Sequence, residues 1–200
     1  MSAGRLTHTA GVVVPLRSFA LGKVRLAQAL DADARRELSR TMAERVVAAA
    51  GSRPLVIVSS APEVVAWARA LDLSHIPDPG TLDGAAVAGR AWVRDRGLVR
   101  LVVMHADLPL ATSLDGIADD DDAPIAVLVP DHHHDGNPVL AIPAAGDFTF
   151  RYGPDSCARH AAEARRLGFE VRIVEDRALG FDVDDESDLD ALAHEPRPTP

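Results

Sequence analysis

Short, unbroken runs of Val, Leu and Ile are the feature that most constrains the fold of this chain. A strand buried on both faces has such a continuous run, whereas a half-buried strand alternates apolar and polar residues. Stretches with helical spacing separate most of the runs, and this alternation predicts an α/β protein with a mainly parallel, mixed sheet covered on both faces. The predicted strands are residues 12–16, 55–58, 75–76, 101–107, 125–129, 139–142 and 171–174.

Length and composition favour one globular domain. The chain has 200 residues, of which 47% are hydrophobic, and this suits a single core. We expect the domain to span residues 1–193, followed by a flexible tail at 194–200 that contains three prolines. A net charge of −9 argues against a nucleic-acid partner. The single cysteine, together with the lack of a signal peptide or a membrane-spanning run, predicts a cytoplasmic protein.

Three aspartates are candidate metal ligands. Asp107 follows the apolar run at 101–104, and Asp182 and Asp184 precede the last predicted helix. Ligands of open α/β sheets bind outside the carboxyl ends of the strands, where carboxylates can hold a divalent cation for phosphate chemistry. Two alternatives stay open: Asp107 could cap the turn after its strand, and Asp184 could cap the last helix.

Two segments are candidate anion sites. Arg17, Lys23 and Arg25 follow the first predicted strand, where nucleotide phosphates commonly bind, although solvated surface cations would have the same pattern. No glycine-rich phosphate loop is present, which disfavours an ordinary ATPase or a dinucleotide-binding enzyme. Further along, the turn at Gly153 enters a helix near Ser156 and Arg159. Free N–H groups there could bind an anion, or Ser156 or Asp155 could simply cap the helix.

Three consecutive histidines, at residues 132–134, are predicted to lie in an exposed turn. Zinc sites need ligands that converge from different directions, and three neighbours in sequence do not guarantee this.

Four segments, in order along the chain, carry a family resemblance. They are residues 14–26 with the basic pair Lys23 and Arg25, residues 78–86, residues 106–109 with the sequence Ala-Asp-Leu-Pro, and residues 131 onward, which include a possible substrate loop at 150–160 and the Asp-Val-Asp of 182–184. In these segments the chain resembles the guanylyltransferases of coenzyme F(420) biosynthesis, which act on phosphoenolpyruvate or 2-phospho-L-lactate. Two positions depart from the family pattern: Asp83 replaces an Asn, and residues 135–138 replace a segment that usually contains a threonine.

The resemblance implies a single-domain, three-layer α/β/α fold of the nucleotidyltransferase (Rossmann-like) type. It also implies transfer of GMP from GTP to a small phosphorylated carboxylic acid, with Mg²⁺ and release of pyrophosphate. The implied nucleotide-binding residues are Pro15, Leu16, Arg17, Lys23, Asp83 and Gly84. The implied acceptor-binding residues are Asn137, Pro138, Gly153, Ser156 and Arg159. The implied catalytic residues are Lys23, Arg25 and Asp107, with Mg²⁺ on Asp107, Asp182 and Asp184.

Asp83 has a further predicted role, because a carboxylate can accept hydrogen bonds from N1 and N2 of guanine. Two other functions remain open from the sequence. One is a different nucleotidyltransferase, for sugar phosphates or a molybdenum cofactor, and the other is a catalytically inactive nucleotide-binding protein. A homodimer also stays open, and no membrane partner is expected.

Overall fold

Seven strands make one mixed sheet in the computed structural model, which describes residues 9–118 and 122–194. The strand order across the sheet is β3-β2-β1-β4-β6-β5-β7. The strands are β1 (Ala10–Pro15), β2 (Leu55–Val58), β3 (Ser74–Ile76), β4 (Arg100–Met104), β5 (Ile125–Val129), β6 (Val139–Pro143) and β7 (Glu170–Ile173). β6 is antiparallel to both of its neighbours, and the other pairs are parallel.

Helices cover both faces of this sheet. They are α1 (Ala32–Ala49), α2 (Pro62–Ala70), α3 (Leu82–Asp95), α4 (Ser156–Arg166), the single turn α5 (Arg177–Gly180) and α6 (Glu186–Ala193). Val12 and Val14 of β1 belong to the core cluster that includes buried residues of α1 and α2. Val13 points the other way, into the cluster that includes α3 and α4. This alternation produces the expected three-layer α/β/α architecture.

The sheet has a crevice where its strand order reverses. β1 pairs with β2 on one side and with β4 on the other, in both cases in parallel. The chain therefore leaves the carboxyl ends of β1 and β4 in opposite directions, and the space between the two loops is the usual ligand site of an open α/β sheet.

The predicted elements are present, with small shifts at their ends. β4 was expected to continue to Asp107 but ends at Met104. The N–H of His105 still bonds to the carbonyl of Pro138, at 2.9 Å, and the chain then turns into a loop that carries Asp107. A 3₁₀ helix, Val24–Ala27, occupies part of the expected loop after β1 and includes Arg25.

The predicted tail at 194–200 falls almost entirely outside the described residues, and so does most of the acidic run at 119–122. The division into residues 1–193 and a tail therefore stays a prediction. Among the described residues, no helix has the length and apolar character needed to cross a bilayer.

Candidate active site

The loops after β1 and β4 form the walls of a cleft of about 270 Å³. Its lining includes Pro15, Leu16, Arg17, Lys23, His105 and Asp107. A second cavity of about 270 Å³ shares Pro15, Leu16 and Arg17 and continues toward Asp78, Thr81 and Ala85 at the start of α3. The two cavities together make an elongated groove across the crevice of the sheet, and four of the six predicted nucleotide-binding residues line it.

Lys23 lies at the centre of the charged part of this cleft. Its Nζ is 2.6 Å from Asp107 Oδ2 and 3.0 Å from Asp184 Oδ1, and only 10% of its side chain is exposed. Burial alone would lower the pKa of Lys23, but the two carboxylates outweigh it, and the pKa is raised above its ordinary value. The ammonium group is therefore charged and bridges Asp107 and Asp184, which lie 84 and 161 positions after Lys23 in the chain.

Asp107, Asp182 and Asp184 converge as predicted. One carboxylate oxygen from each lies within 4.8 Å of the others. Burial and the neighbouring charges of Asp107 and Asp184 raise the pKa of Asp182 to about 6. Among the described residues, Asp107 Oδ1 is shielded from solvent and has no hydrogen-bond partner. Three carboxylates with an unused buried oxygen are the donor set that a hard cation such as Mg²⁺ prefers.

The start of α6 holds Asp184, one of the candidate metal ligands. Asp185, rather than Asp184, caps this helix and accepts hydrogen bonds from the N–H groups of Ser187 and Asp188. The side chain of Asp188 bonds back to the backbone N–H groups of Asp184, at 2.7 Å, and Asp185, at 3.1 Å. This capping box leaves the carboxylate of Asp184 free to face Lys23, so the capping alternative for Asp184 is wrong.

Arg17 and Asp78 line the part of the groove that is predicted to bind the nucleotide. Arg17 Nη2 donates to the carbonyl of Gly80 at 2.5 Å, and its Nε is 4.0 Å from Asp78 Oδ2. Gly84 does not line either cavity, but a Cβ there would lie 2.9 Å from Pro79 Cγ, so its lack of a side chain permits close packing of the turn before α3.

Asp83 has a contact that the sequence did not suggest. Its Oδ1 accepts a hydrogen bond from the backbone N–H of Tyr152, at 2.7 Å, and so ties α3 to the loop before α4. Asp83 is not part of either cavity lining. Its role in reading guanine therefore stays a prediction, and Asp78 is the carboxylate that lies in the groove beside Thr81 and Ala85.

A buried polar network surrounds Asn137, one of the predicted acceptor-binding residues. Asn137 Oδ1 accepts from Ser156 Oγ at 2.9 Å and lies 2.9 Å from His160 Nδ1. His160 Nε2 accepts a hydrogen bond from the N–H of Arg151. The ring proton is therefore on Nδ1, which donates to Asn137 Oδ1. Burial lowers the pKa of His160 to about 4, which keeps this ring neutral. The amide nitrogen of Asn137 is left buried without a partner in the described structure.

The turn that begins at Gly153 leads into α4, as predicted. Gly153 has a φ of 108°, which requires glycine, and its carbonyl accepts from the N–H of Ser156. Neither Asp155 nor Ser156 caps α4 with its side chain, and the carboxylate of Asp135 accepts from the N–H of Asp155 at 2.8 Å. The carboxylate of Asp135 therefore occupies part of the predicted anion site.

Two predicted cations are not among the residues that line the cleft. Arg159, in the first turn of α4, donates to the carbonyl of Pro154 in the loop before this helix. Arg25 is exposed, and in residues 9–118 and 122–194 it has no side-chain hydrogen bond or ion pair. Its contact with a triphosphate stays a prediction.

Sequence reasoning missed two groups beside the site. His105 lines the cleft, and its ring lies 5.6 Å from that of Tyr152, which in turn lies 4.7 Å from that of His160. Within the described structure, His105 Nε2 and Tyr152 Oη are shielded from solvent and have no hydrogen-bond partner. His105 was overlooked because it ends an apolar run, and its position two residues before Asp107 was the available signal.

Comparison with known proteins identifies the family. A sequence profile of the family described as "Guanylyl transferase CofC like" matches residues 10–195. The chain belongs to this family. A phosphoenolpyruvate guanylyltransferase from Chloroflexus aggregans is 32% identical over 199 residues, which cover 94% of this chain and 98% of that protein. The enzyme of the same name from Rubrobacter xylanophilus is 34% identical over 187 residues, covering 90% and 91%.

Solved structures support the fold of this family member. A protein from Desulfovibrio desulfuricans G20, described as a nucleotide-diphospho-sugar transferase, superposes with a TM-score of 0.77 at 18% identity and covers 96% of this chain and 89% of its own. A cytidylyltransferase from Leptospira borgpetersenii has a TM-score of 0.58 at 12% identity and covers 92% and 85%. The predicted nucleotidyltransferase-like fold is confirmed, and neither alternative function from the sequence is favoured.

Proposed function

We propose that this protein transfers GMP from GTP to phosphoenolpyruvate, or to the related 2-phospho-L-lactate, and releases pyrophosphate in coenzyme F(420) biosynthesis. The observation that carries the proposal is the convergence of Lys23, Asp107 and Asp184 at the crevice between β1 and β4. These three residues lie within the region, residues 10–195, that matches the guanylyltransferase family.

Charge repulsion is the barrier that such a site must lower. In this reaction a phosphate oxygen of the acceptor attacks the α-phosphorus of GTP, and both molecules are anionic. At an effective dielectric of about 20, two like unit charges about 4 Å apart repel by roughly 4 kcal/mol. That is about a thousandfold in rate if nothing compensates it. The net charge of −9 does not attract anionic substrates. The positive charge that offsets their repulsion must therefore come from groups within the cleft.

Asp107, Asp182 and Asp184 are the residues that would hold Mg²⁺. Their oxygens converge within 4.8 Å, and Oδ1 of Asp107 is a buried acceptor with no partner in the described residues, which a bound cation would satisfy. Bound there, Mg²⁺ would supply positive charge to the phosphate oxygens of the two substrates.

Lys23 supplies the second local charge. An ammonium group has three donors, and two of them are used by Asp107 and Asp184. The third is free for a phosphate oxygen of GTP in the same cleft, so Lys23 can stabilise the triphosphate and the leaving pyrophosphate without releasing its carboxylates.

Buried polar side chains that extend from His105 in the cleft suit the acceptor. Asn137 Nδ2, His105 Nε2 and Tyr152 Oη are buried polar groups with no partner in the described residues. They belong to one contiguous set of side chains, because His105 contacts Tyr152, Tyr152 contacts His160 and His160 bonds to Asn137. Such donors could bind the carboxylate or phosphate of a small acid. No general base is needed, because a phosphate monoester is mostly ionised near pH 7.

Pyrophosphate release tests the proposal. Purified protein is incubated with Mg²⁺, GTP and one acceptor at a time, namely phosphoenolpyruvate, 2-phospholactate or a phosphoglycerate. We expect release with one of the first two and none without an acceptor. The control is Asp107→Asn, which should reduce turnover at least about a hundredfold while the melting temperature stays near that of the wild type. Wild-type protein that is inactive with every acceptor, or an active Asp107→Asn variant, would contradict the proposal.

A further inference from the structure

We propose that His132, His133 and Asp188 form a second metal site, which takes a borderline transition-metal ion such as Zn²⁺ or Co²⁺ and is separate from the three carboxylates of the cleft. One donor atom from each residue lies within 4.8 Å of the other two. The predicted exposed turn is present, but two of its three histidines converge on an acidic residue of α6.

The backbone of the turn holds the two histidines in this position. Asp131 Oδ1 accepts hydrogen bonds from the N–H groups of His133 and Asp135, each at 3.0 Å. The N–H of His132 bonds to the carbonyl of Gly180 at 2.9 Å, which fixes the turn against α5. The two imidazole rings consequently lie side by side, with their centroids 3.9 Å apart.

The spacing of the donor atoms suits a bound ion. His132 Nε2 is 2.9 Å from Asp188 Oδ1, and His133 Nε2 is 3.6 Å from the same oxygen. A tetrahedral zinc ion with ligands at about 2.0–2.1 Å places neighbouring donor atoms about 3.3–3.4 Å apart. The two observed distances lie on either side of this value, and the donor atoms of the two histidines lie within 4.8 Å of each other, so side-chain shifts would let an ion bind all three residues.

Two of the three ligands have carboxylate or backbone neighbours for their remaining polar atoms. His132 Nδ1 is 3.3 Å from Asp182 Oδ1 without a hydrogen bond to it in the described structure. A small rotation of the ring would give the carboxylate contact that a metal-bound histidine usually makes. The second oxygen of Asp188 accepts from the backbone of Asp184 and Asp185. Asp188 is therefore held in place before any ion binds.

Ligand chemistry and access distinguish this site from the cleft. Two imidazole nitrogens and one carboxylate suit Zn²⁺ or Co²⁺, whereas the all-oxygen set of the cleft suits Mg²⁺. The side chain of His133 is 59% exposed, so an ion can reach the site directly and water can complete its coordination. Because the ligands come from the turn after β5 and from α6, an ion would also join these two segments and stabilise the fold.

Cobalt titration of the whole protein tests the site without GTP or turnover, so its outcome is independent of the proposed function. Mg²⁺ is kept in large excess to occupy the carboxylates of the cleft. We expect one equivalent of Co²⁺ to produce the intense visible absorption of a nitrogen-ligated, low-coordinate ion and to raise the melting temperature.

Two single variants locate the ligands. His133→Gln should weaken Co²⁺ binding at least about tenfold. His134→Gln is the matched control, because His134 belongs to the same turn but lies 3.9 Å from Glu175 instead, and it should bind like the wild type. The proposal is overturned if the wild type gives no such band, if His133→Gln binds as tightly as the wild type, or if His134→Gln is weakened equally. In those cases the pair of His132 and Asp188 serves only to position Asp182.

Discussion

Lys23 shows how one residue can organise an anionic site. It has a φ of 57°, in the left-handed region, and a non-glycine residue held there costs of order 1–3 kcal/mol. The surrounding contacts offset this cost, because the conformation directs Nζ between Asp107 and Asp184. In the absence of substrate the ammonium group thus separates two carboxylates that would otherwise repel each other.

Replacement of Lys23 by Met should lower kcat/KM for GTP by at least about a hundredfold, since one close charge contact is worth several kcal/mol in such a site. Arg25→Met is the matched comparison, and its exposed position predicts a much smaller loss. Steady-state kinetics at saturating acceptor measure both. Equal losses would mean that the 3₁₀ helix, Val24–Ala27, rearranges when nucleotide binds, and that Arg25 reaches the triphosphate.

His160 makes stability depend on pH. Its folded-state pKa is about 4, chiefly because of burial, whereas an unfolded histidine titrates near 6.5. Between these values the unfolded chain binds more protons, so stability falls as the pH decreases from about 6.5 to 4, by up to about 3 kcal/mol. Urea midpoints across this range should fall less steeply for His160→Gln than for the wild type. Parallel curves for the two proteins would show that His160 does not titrate as the structure indicates.

At the scale of elements, most of the fold follows from the sequence. The seven predicted strands are all present, with ends within three residues of those observed, and helical spacing between the runs predicts α1 to α4. The position of β6 could not be predicted, because an apolar run carries no information about strand order or direction. Nor could the capping residue of α6, because Asp184 and Asp185 offer the same chemistry and only the backbone bonds from Asp188 distinguish them.

The short helix α5 positions the C-terminal carboxylates by close contact. A Cβ on Gly180 would lie 2.5 Å from the carbonyl oxygen of Pro130, so α5 and the end of β5 approach more closely than any other residue would allow. Asp182 follows only two residues later.

Gly180→Ala should therefore destabilise the protein by about 1–3 kcal/mol and also weaken Mg²⁺ binding, because the segment with Asp182 must move away. Urea denaturation and magnesium titration measure the two effects. Ala178→Gly, in the same helix, is the control: it should cost about 1 kcal/mol through helix propensity and leave Mg²⁺ binding unchanged. Normal Mg²⁺ binding by Gly180→Ala would show that the close contact between Gly180 and Pro130 does not position Asp182.

At the scale of the whole molecule, the site depends on bringing the two ends of the domain together. Lys23 is near the start of the described chain and Asp184 is near its end. A small apolar cluster of Leu26, Met42, Phe181 and Val183 joins the same two regions. Leu26 follows Lys23 by three residues, and Val183 immediately precedes Asp184. This cluster, rather than the large cores on the two faces of the sheet, is what we expect to set the distance between the two halves of the site.

A double-mutant cycle tests whether this cluster acts as one unit. Leu26→Ala should cost about 2–5 kcal/mol and Phe181→Leu about 1 kcal/mol. Because the two side chains share one small cluster, their effects should depart from additivity by about 0.5–3 kcal/mol. The control pairs Leu26→Ala with Val93→Ala, which lies in the core on the α3 side, and there the effects should add to within about 0.5 kcal/mol. Urea denaturation gives all the values. Additivity in both pairs would mean that the ends of the domain are joined mainly by the ion pairs of Lys23.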